Sequence, residues 1–174
     1  FFIFAGSKNS MSLTVGIARK VLVAPLDWGL GHASRCIPVV QALLAQGCEV
    51  YLAAQGATAA LLQEAFPQLP MLPLPGYGIK YSRSHVLLKI LRQLPHIQAA
   101  IAAEHAWLQR MVQQYGFEAV VSDNRYGLWS PKCHNVLITH QLQPALPAGW
   151  QWAQGWARRL FYQKIECFQE VWVP

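Results

Sequence analysis

Short unbroken apolar runs alternate along this chain with longer stretches in which apolar residues return every third or fourth position. Val21 to Pro25 is a run with no polar alternation, as a parallel strand buried on both faces requires. After a glycine turn, Ile37, Val40, Leu43 and Leu44 recur at helical spacing until Gly47 closes the helix. Val50 to Ala54 reads as a second strand, Ala57 to Phe66 as a second helix ending before Pro67, and Met71 to Leu74 as a third strand hemmed by prolines. Pro75 to Arg83, with two glycines and two tyrosines, reads as a loop, and Ser84 is placed to cap the helix after it. A long helical region then reaches Tyr115, with a break expected near Pro95, whose ring disrupts a continuous helix. Ala119 to Val121 and Val136 to Ile138 give two further strands, Trp150 to Phe168 a last helix, and Val171 onward a strand. No internal repeat or low-complexity segment interrupts the series.

Strands alternating with helices at these lengths specify the α/β class, a doubly wound Rossmann-like parallel sheet with right-handed crossovers. In the usual 3-2-1-4-5 strand order the first and fourth strands lie side by side, and ligands bind at that switch point, outside the carboxyl ends of the strands. Three polar clusters fall there: Asp27 to His32 after the first strand, Asp123 to Tyr126 after the fourth, and His140-Gln141 after the fifth.

Composition narrows the picture. A chain of 174 residues, 53% hydrophobic, suffices for one well-buried domain. Only 13% of residues are charged, while seven Trp, seven Phe and six Tyr imply more apolar surface than a free-standing monomer leaves uncovered. The formal net charge of +6 favours anionic partners, and since no nucleic-acid motif accompanies it, nucleotide phosphates or acidic lipids are expected rather than nucleic acid. Cys36, Cys48, Cys133 and Cys167 stand far apart and match no zinc spacing, so they read as reduced thiols of a cytosolic protein, with no disulfide and no metal. No apolar run approaches the ~20 residues that cross a bilayer, and Phe1 to Ala5 is too short for a signal peptide, so a cytoplasmic location is expected. Residues 1–19 read as an N-terminal extension with Met11 as a candidate start, and residues 20–174 as the domain, truncated before whatever follows.

The turn after the first strand carries the clearest chemistry. Gly29 and Gly31 let a ligand approach the backbone N–H groups of Leu30, Gly31 and His32 at a helix start, which makes an anion cradle; a turn tightened only for packing is the plainer alternative. A dinucleotide fingerprint wants a third glycine where this chain has Ser34, and an acid at the end of the second strand, where it has Ala53-Ala54-Gln55-Gly56. No Gly-Lys-Ser/Thr follows the turn, which excludes a kinase-like P-loop. His32 and Arg35 keep the turn company.

Gly29-Leu30-Gly31-His32-Ala33-Ser34-Arg35, supported by Gly47-Cys48-Glu49-Val50, Ser122-Asp123 and Thr139-His140-Gln141, resembles the GT-B glycosyltransferases. Within them the chain is similar to the lipid-linked peptidoglycan N-acetylglucosaminyltransferase family and to uncharacterised bacterial glycosyltransferases carrying Asp-Trp-Gly-Leu-Gly-His and Ser-Asp-Asn-Arg-Tyr-Gly segments. The likeness spans roughly Lys20 to Pro174, though only the first motif is diagnostic, and Asp27 and Trp28 stand where the peptidoglycan enzymes are richer in glycine. The resemblance implies an acceptor-binding N-terminal domain whose C-terminal partner domain grips the nucleotide-sugar donor, a UDP-sugar, as co-substrate with no other cofactor.

Sugar transfer with inversion needs a base for the acceptor hydroxyl and an N–H-rich site for the departing diphosphate. His32 is the candidate base, with helix capping or acceptor binding as its plainer roles. Asp123 is the second candidate, orienting His32, binding acceptor hydroxyls, serving as base itself, or merely turning the chain. Gly29, Leu30, Gly31 and His32 are assigned to the donor phosphates, and Asp27, Asn124, Arg125, Tyr126, His140 and Gln141 to the acceptor, a sugar or lipid-linked hydroxyl. Lys80, Arg83, Lys89 and Arg92, interleaved with Val86 to Leu91 and free of acids, form a basic amphipathic stretch; it can lie on an anionic membrane at the cytoplasmic face, or be a core-facing helix with a solvated basic side. Trp152 and Trp156, with Leu160 next in line, read as core or as the seam to a second domain. The reading is a glycosyltransferase half, inactive alone; its rivals are a non-catalytic phosphate- or membrane-binding module and a nucleotide-sugar epimerase on the same scaffold.

Overall fold

Five consecutive buried residues, Val21–Pro25, leave neither face of their strand to solvent, and such a strand needs neighbours on both edges and helices on both faces. The computed structural model, which describes residues 3–4, 19–74, 86–140, 152 and 154–174, supplies both. β2 (Lys20–Pro25) pairs in parallel with β3 (Glu49–Ala54) on one side and with β5 (Ala119–Asp123) on the other. Beyond β3 lies β4 (Met71–Pro73); beyond β5 lie β6 (His134–Ile138) and β7 (Glu170–Val173), all parallel. β1 (Ile3–Phe4) pairs antiparallel with β7 at the far edge, giving the order β1-β7-β6-β5-β2-β3-β4. The expected 3-2-1-4-5 order is therefore present, extended by β7 and by two residues of the segment expected to lie outside the domain.

Alternate residues of β2 serve opposite cores. Val21 and Val23 face a cluster with Ala33, Cys36, Val39 and Val40 of α1 (Leu30–Ala45) and Leu62 of α2 (Gly56–Ala65). Leu22 and Ala24 face Trp107, Leu108 and Val112 of α3 (Val86–Tyr115), with Phe117 and Leu128. Each fully buried Leu or Val adds roughly 1.5–3 kcal/mol, so removing either helix layer would expose a whole face of the sheet. The two layers are the structural meaning of "doubly wound".

α3 runs unbroken through Pro95, where a break was expected. An internal proline removes one backbone N–H and crowds one carbonyl, while the turns on either side keep their hydrogen bonds. Pro38 sits inside α1 in the same way. The last helix, α4 (Gln154–Ile165), is shorter than the expected 150–168 span. The expected loop from Pro75 to Arg83, the cap Ser84 and Gln141 lie outside the described residues, as do the side chains of the basic stretch from Lys80 to Gln93. Among the described residues no helix is long and apolar enough to cross a membrane, and the four cysteines are free thiols.

Candidate functional site

β2 ends at Pro25, directly paired with Asp123 at the end of β5, so the two strand ends are level and the chain from each enters the same space. Leaving β2, the chain reaches Gly29 at φ 93° and ψ 160°, a conformation essentially confined to glycine, and α1 begins at Leu30. No side chain caps this helix start and its first turn holds no acid. The unbonded N–H groups of the first turn and the positive end of the helix dipole are thus available to an anion. A Cβ built on Gly29 or Gly31 meets nothing within 4 Å, so close packing does not explain either glycine. Trp28 (41% exposed) and Leu30 (52% exposed), on either side of Gly29, put apolar surface beside the turn.

His32 and Asp123 meet at this point. His32 lies in the first turn of α1, and its Nδ1 is 3.0 Å from Oδ2 of Asp123, which is wholly buried. Arg35, three residues on and so on the same helix face, donates from Nε to Oδ2 and from Nη2 to Oδ1, at 2.7 Å each. The same Nη2 lies against His32 Nδ1; because a guanidinium only donates, Nδ1 either accepts from Arg35 or, when it carries the ring proton, donates to Asp123, according to the tautomer. The Cys36 thiol approaches Asp123 Oδ2 at 3.9 Å, and burial together with that carboxylate's charge pushes its pKa far up, so it stays a neutral thiol. When Nδ1–H donates to Asp123, the ring keeps a lone pair on Nε2 for an incoming proton.

In the loop after β5, Arg125 turns inward, while Asn124 and Tyr126 are half-buried. Asn124 turns the chain at φ 53°, and its N–H bonds Ile138 of β6 at 3.0 Å. Arg125, assigned from sequence to the acceptor, is completely buried. Its Nη1 meets Glu104 of α3 at 2.5 Å, its Nε donates to the Pro25 carbonyl at 2.9 Å, and its Nη2 lies 3.4 Å from Asp27 Oδ1. A guanidinium wholly below the surface is not presented to an acceptor; its contacts tie α3, the end of β2 and the loop after β5 together. Asp27, assigned from sequence to the acceptor, is also tied to the end of β3, its Oδ2 accepting from Gln55 2.9 Å away.

Tyr126 is half-buried, its hydroxyl 3.4 Å from Thr139 Oγ1 and its ring edge-on to Phe161 of α4 at 5.6 Å; burial raises its phenol pKa. His140 is exposed just past β6, on the same sheet edge. The structure thus joins His32 to Asp123, and Asp27 to Arg125, in two adjoining networks, with Tyr126 and His140 beside them. Trp152 is 80% exposed, which excludes the core and not the seam among its two expected places; the side chains of Trp156 and Leu160 lie outside the described residues. Sequence reasoning assigned no role to Arg35, although its i+3 spacing from His32 is the signal for one, and it missed Glu104, an acid on an amphipathic helix with no motif around it.

The chain matches no protein-family model, and no curated protein matches it in sequence. Solved structures match it in shape. MurG of Acinetobacter baumannii superposes with a TM-score of 0.53, covering 88% of this chain and 40% of its own, at 16% identity. UGT2 of Phytolacca americana, solved with UDP-2-fluoro-glucose and pterostilbene, gives 0.50 over 70% of this chain and 30% of its own, at 18% identity. The glycosyltransferase SsfS6 of Streptomyces sp. SF2575 gives 0.50 over 84% and 44%, at 15% identity. The chain spans less than half the length of each, and at these identities the match is one of fold. The chain has the α/β fold of the N-terminal domain of a GT-B glycosyltransferase.

Proposed function

We propose that this chain, with residues 20–174 as its domain, is the acceptor-side half of a glycosyltransferase that moves a sugar from a nucleotide-sugar donor, a UDP-sugar, to an acceptor hydroxyl. The observation that carries the reading is the 3.0 Å approach of His32 Nδ1 to the buried Asp123 carboxylate, beside an uncapped helix start at a strand switch point. In the reaction the acceptor O–H gives its proton to His32 Nε2 while its oxygen bonds the anomeric carbon. The bond from that carbon to the diphosphate breaks, and the diphosphate leaves with the electron pair. Asp123 orients the ring and stabilises the imidazolium that forms. The N–H groups of Leu30, Gly31 and His32 suit the negative charge that gathers on the diphosphate.

Three further assignments follow from this reading. The exposed Trp28 and Leu30 suit an acceptor with an apolar portion, including a lipid-linked one. The donor's base and ribose are assigned to a second domain, and the acceptor to this one. The enzyme works in the cytoplasm, at the inner membrane face where its acceptor is lipid-linked.

The test uses the full-length protein with UDP-glucose and UDP-N-acetylglucosamine, alone and with lipid-linked and soluble hydroxyl acceptors, and follows UDP and the sugar by mass spectrometry. UDP release with glycosylated acceptor supports transfer, and His32→Ala should lower the rate by about 10²–10⁴-fold, the usual contribution of a general base. Retained turnover in that variant sinks the base assignment. An isomerised sugar means an epimerase, and tight binding of an unchanged sugar means a binding module.

A further inference from the structure

A carboxylate without solvent access holds an unscreened charge and takes up whatever proton or cation can reach it. Asp123 is such a group, and three side chains reach it: Arg35 through two nitrogens at 2.7 Å, His32 through Nδ1 at 3.0 Å, and the neutral Cys36 thiol at 3.9 Å. A guanidinium is charged at every working pH, so it neutralises the carboxylate without any proton being taken up. Paired side-on with Arg35, Asp123 still offers Oδ2 to an N–H of the imidazole but no longer presents a net negative charge to it. Arg35 Nη2 also lies against Nδ1 and opposes a second positive charge there. A His–Asp pair lacking such a cation tends instead toward imidazolium–carboxylate, in which the base is already occupied.

We propose that Arg35 is a positioning residue that keeps His32 unprotonated at rest and fixes the carboxylate oxygen to which Nδ1–H donates. The proposal rests on the assignment of His32 as the base. The other groups around the ring do not perform this task. Cys36 and Tyr126 are neutral, their pKa values raised by burial, and Asp27 is held by Arg125 and Gln55. Among the described groups at this site, Arg35 is the cation in contact with both His32 and Asp123.

The ring nitrogens of His32 report the effect directly, without substrate. In protein labelled with [15N]histidine, NMR gives the neutral-ring tautomer and the titration midpoint, the His32 signals being identified by their loss in His32→Gln. The wild-type neutral ring should carry its proton on Nδ1. Arg35→Gln should raise the midpoint by about one to three pH units, the usual effect of a charge within contact distance, and Arg35→Lys should return it at least halfway. An unmoved midpoint in Arg35→Gln overturns the proposal and leaves the base assignment standing.

Should Arg35→Gln fail to fold with Asp123 left unpaired, Asp123→Asn and Asp123→Asn/Arg35→Gln isolate the same charge without the buried anion. The double variant should titrate higher than the single one, and equal midpoints overturn the proposal. A wild-type neutral ring protonated on Nε2 overturns both the proposal and the base assignment. The expected midpoints in a full-length protein that releases no UDP support the electrostatic role of Arg35 and reject transfer, so the two failures are told apart.

Discussion

Arg125 Nη1 and Glu104 Oε1 meet at 2.5 Å where neither side chain is more than 1% exposed. Because the same guanidinium bonds the Pro25 carbonyl and reaches Asp27, one buried pair holds α3, the end of β2 and the loop after β5 together. Removing Arg125 takes the guanidinium from the buried Glu104 carboxylate, and removing Glu104 takes from that guanidinium its shortest ion pair and leaves the longer one to Asp27. Glu104→Gln and Arg125→Met should each lose about 3–5 kcal/mol in urea unfolding, while the paired change Glu104→Leu/Arg125→Met should recover most of that loss. Single variants within about 1 kcal/mol of wild type would show that the pair is not buried as described.

Gly127 gives an independent measure of the same docking. A Cβ there would sit 2.4 Å from the Ile101 carbonyl oxygen and 2.9 Å from Glu104 Cβ, and a helix carbonyl cannot swing aside as a side-chain tip can. Gly127→Ala should therefore cost about 1–3 kcal/mol by overpacking. Gly155 provides the contrast, since a Cβ there meets nothing within 4 Å inside α4. Gly155→Ala should leave the midpoint unchanged or raise it by up to about 1 kcal/mol from helix propensity. Thermal unfolding of the two variants side by side checks the pair of outcomes, and equal shifts would contradict the close approach of α3 to the loop.

The strands were legible because a parallel strand buried on both faces has to be a continuous apolar run, and Val21–Pro25 could be little else. The convergence of Gly29–His32 with Asp123 followed from strand order alone, since the register pairs Pro25 with Asp123. What stayed hidden depends on where side chains go once the layers pack. Arg125 sits in a Ser-Asp-Asn-Arg-Tyr loop that reads as solvent-facing, and the acid on α3, 21 positions earlier in the chain, draws it inward together with the Pro25 carbonyl and Asp27. β1 was missed because a two-residue edge strand has no periodicity to read, and the break at Pro95 was over-read because one lost hydrogen bond does not end a helix of 30 residues.

Cys36 should leave a signature in alkaline stability. Its folded pKa is raised, first by burial and then by Asp123, above the ordinary thiol value of 9.0. The stability this contributes is present in full below pH 9.0 and is lost as pH rises, because the unfolded chain ionises there while the folded thiol does not. Between pH 9 and 11 the slope from one such group approaches about 1.4 kcal/mol per pH unit. Cys36→Ala should thus unfold more easily than wild type at pH 7.5, through the cavity it leaves, yet lose less further stability between pH 7.5 and 10.5. Urea midpoints at the two pH values provide the test; parallel losses in both proteins would place the alkaline sensitivity elsewhere, for example at the half-buried Tyr126, whose phenol pKa is also raised.

Gly29 and Gly31 separate what the fold requires from what the ligand requires. Gly29 at φ 93° is strained for any side chain, so Gly29→Ala should cost about 1–3 kcal/mol in unfolding. Gly31 lies in the first turn of α1 with ordinary helical backbone and nothing within 4 Å of an added Cβ. On folding grounds alone Gly31→Ala should be neutral or stabilising by up to about 1 kcal/mol. On the proposed function the cost of that methyl should fall on the ligand, because it stands where the proposed diphosphate would approach the N–H groups of the first turn. In the full-length protein Gly31→Ala should keep its unfolding midpoint, while the rate of UDP release falls by about tenfold or more, roughly the 1.4 kcal/mol of one lost charge-assisted hydrogen bond. Unchanged UDP release in this variant would remove the phosphate from the glycine turn and leave His32 and Asp123 to act on the acceptor alone.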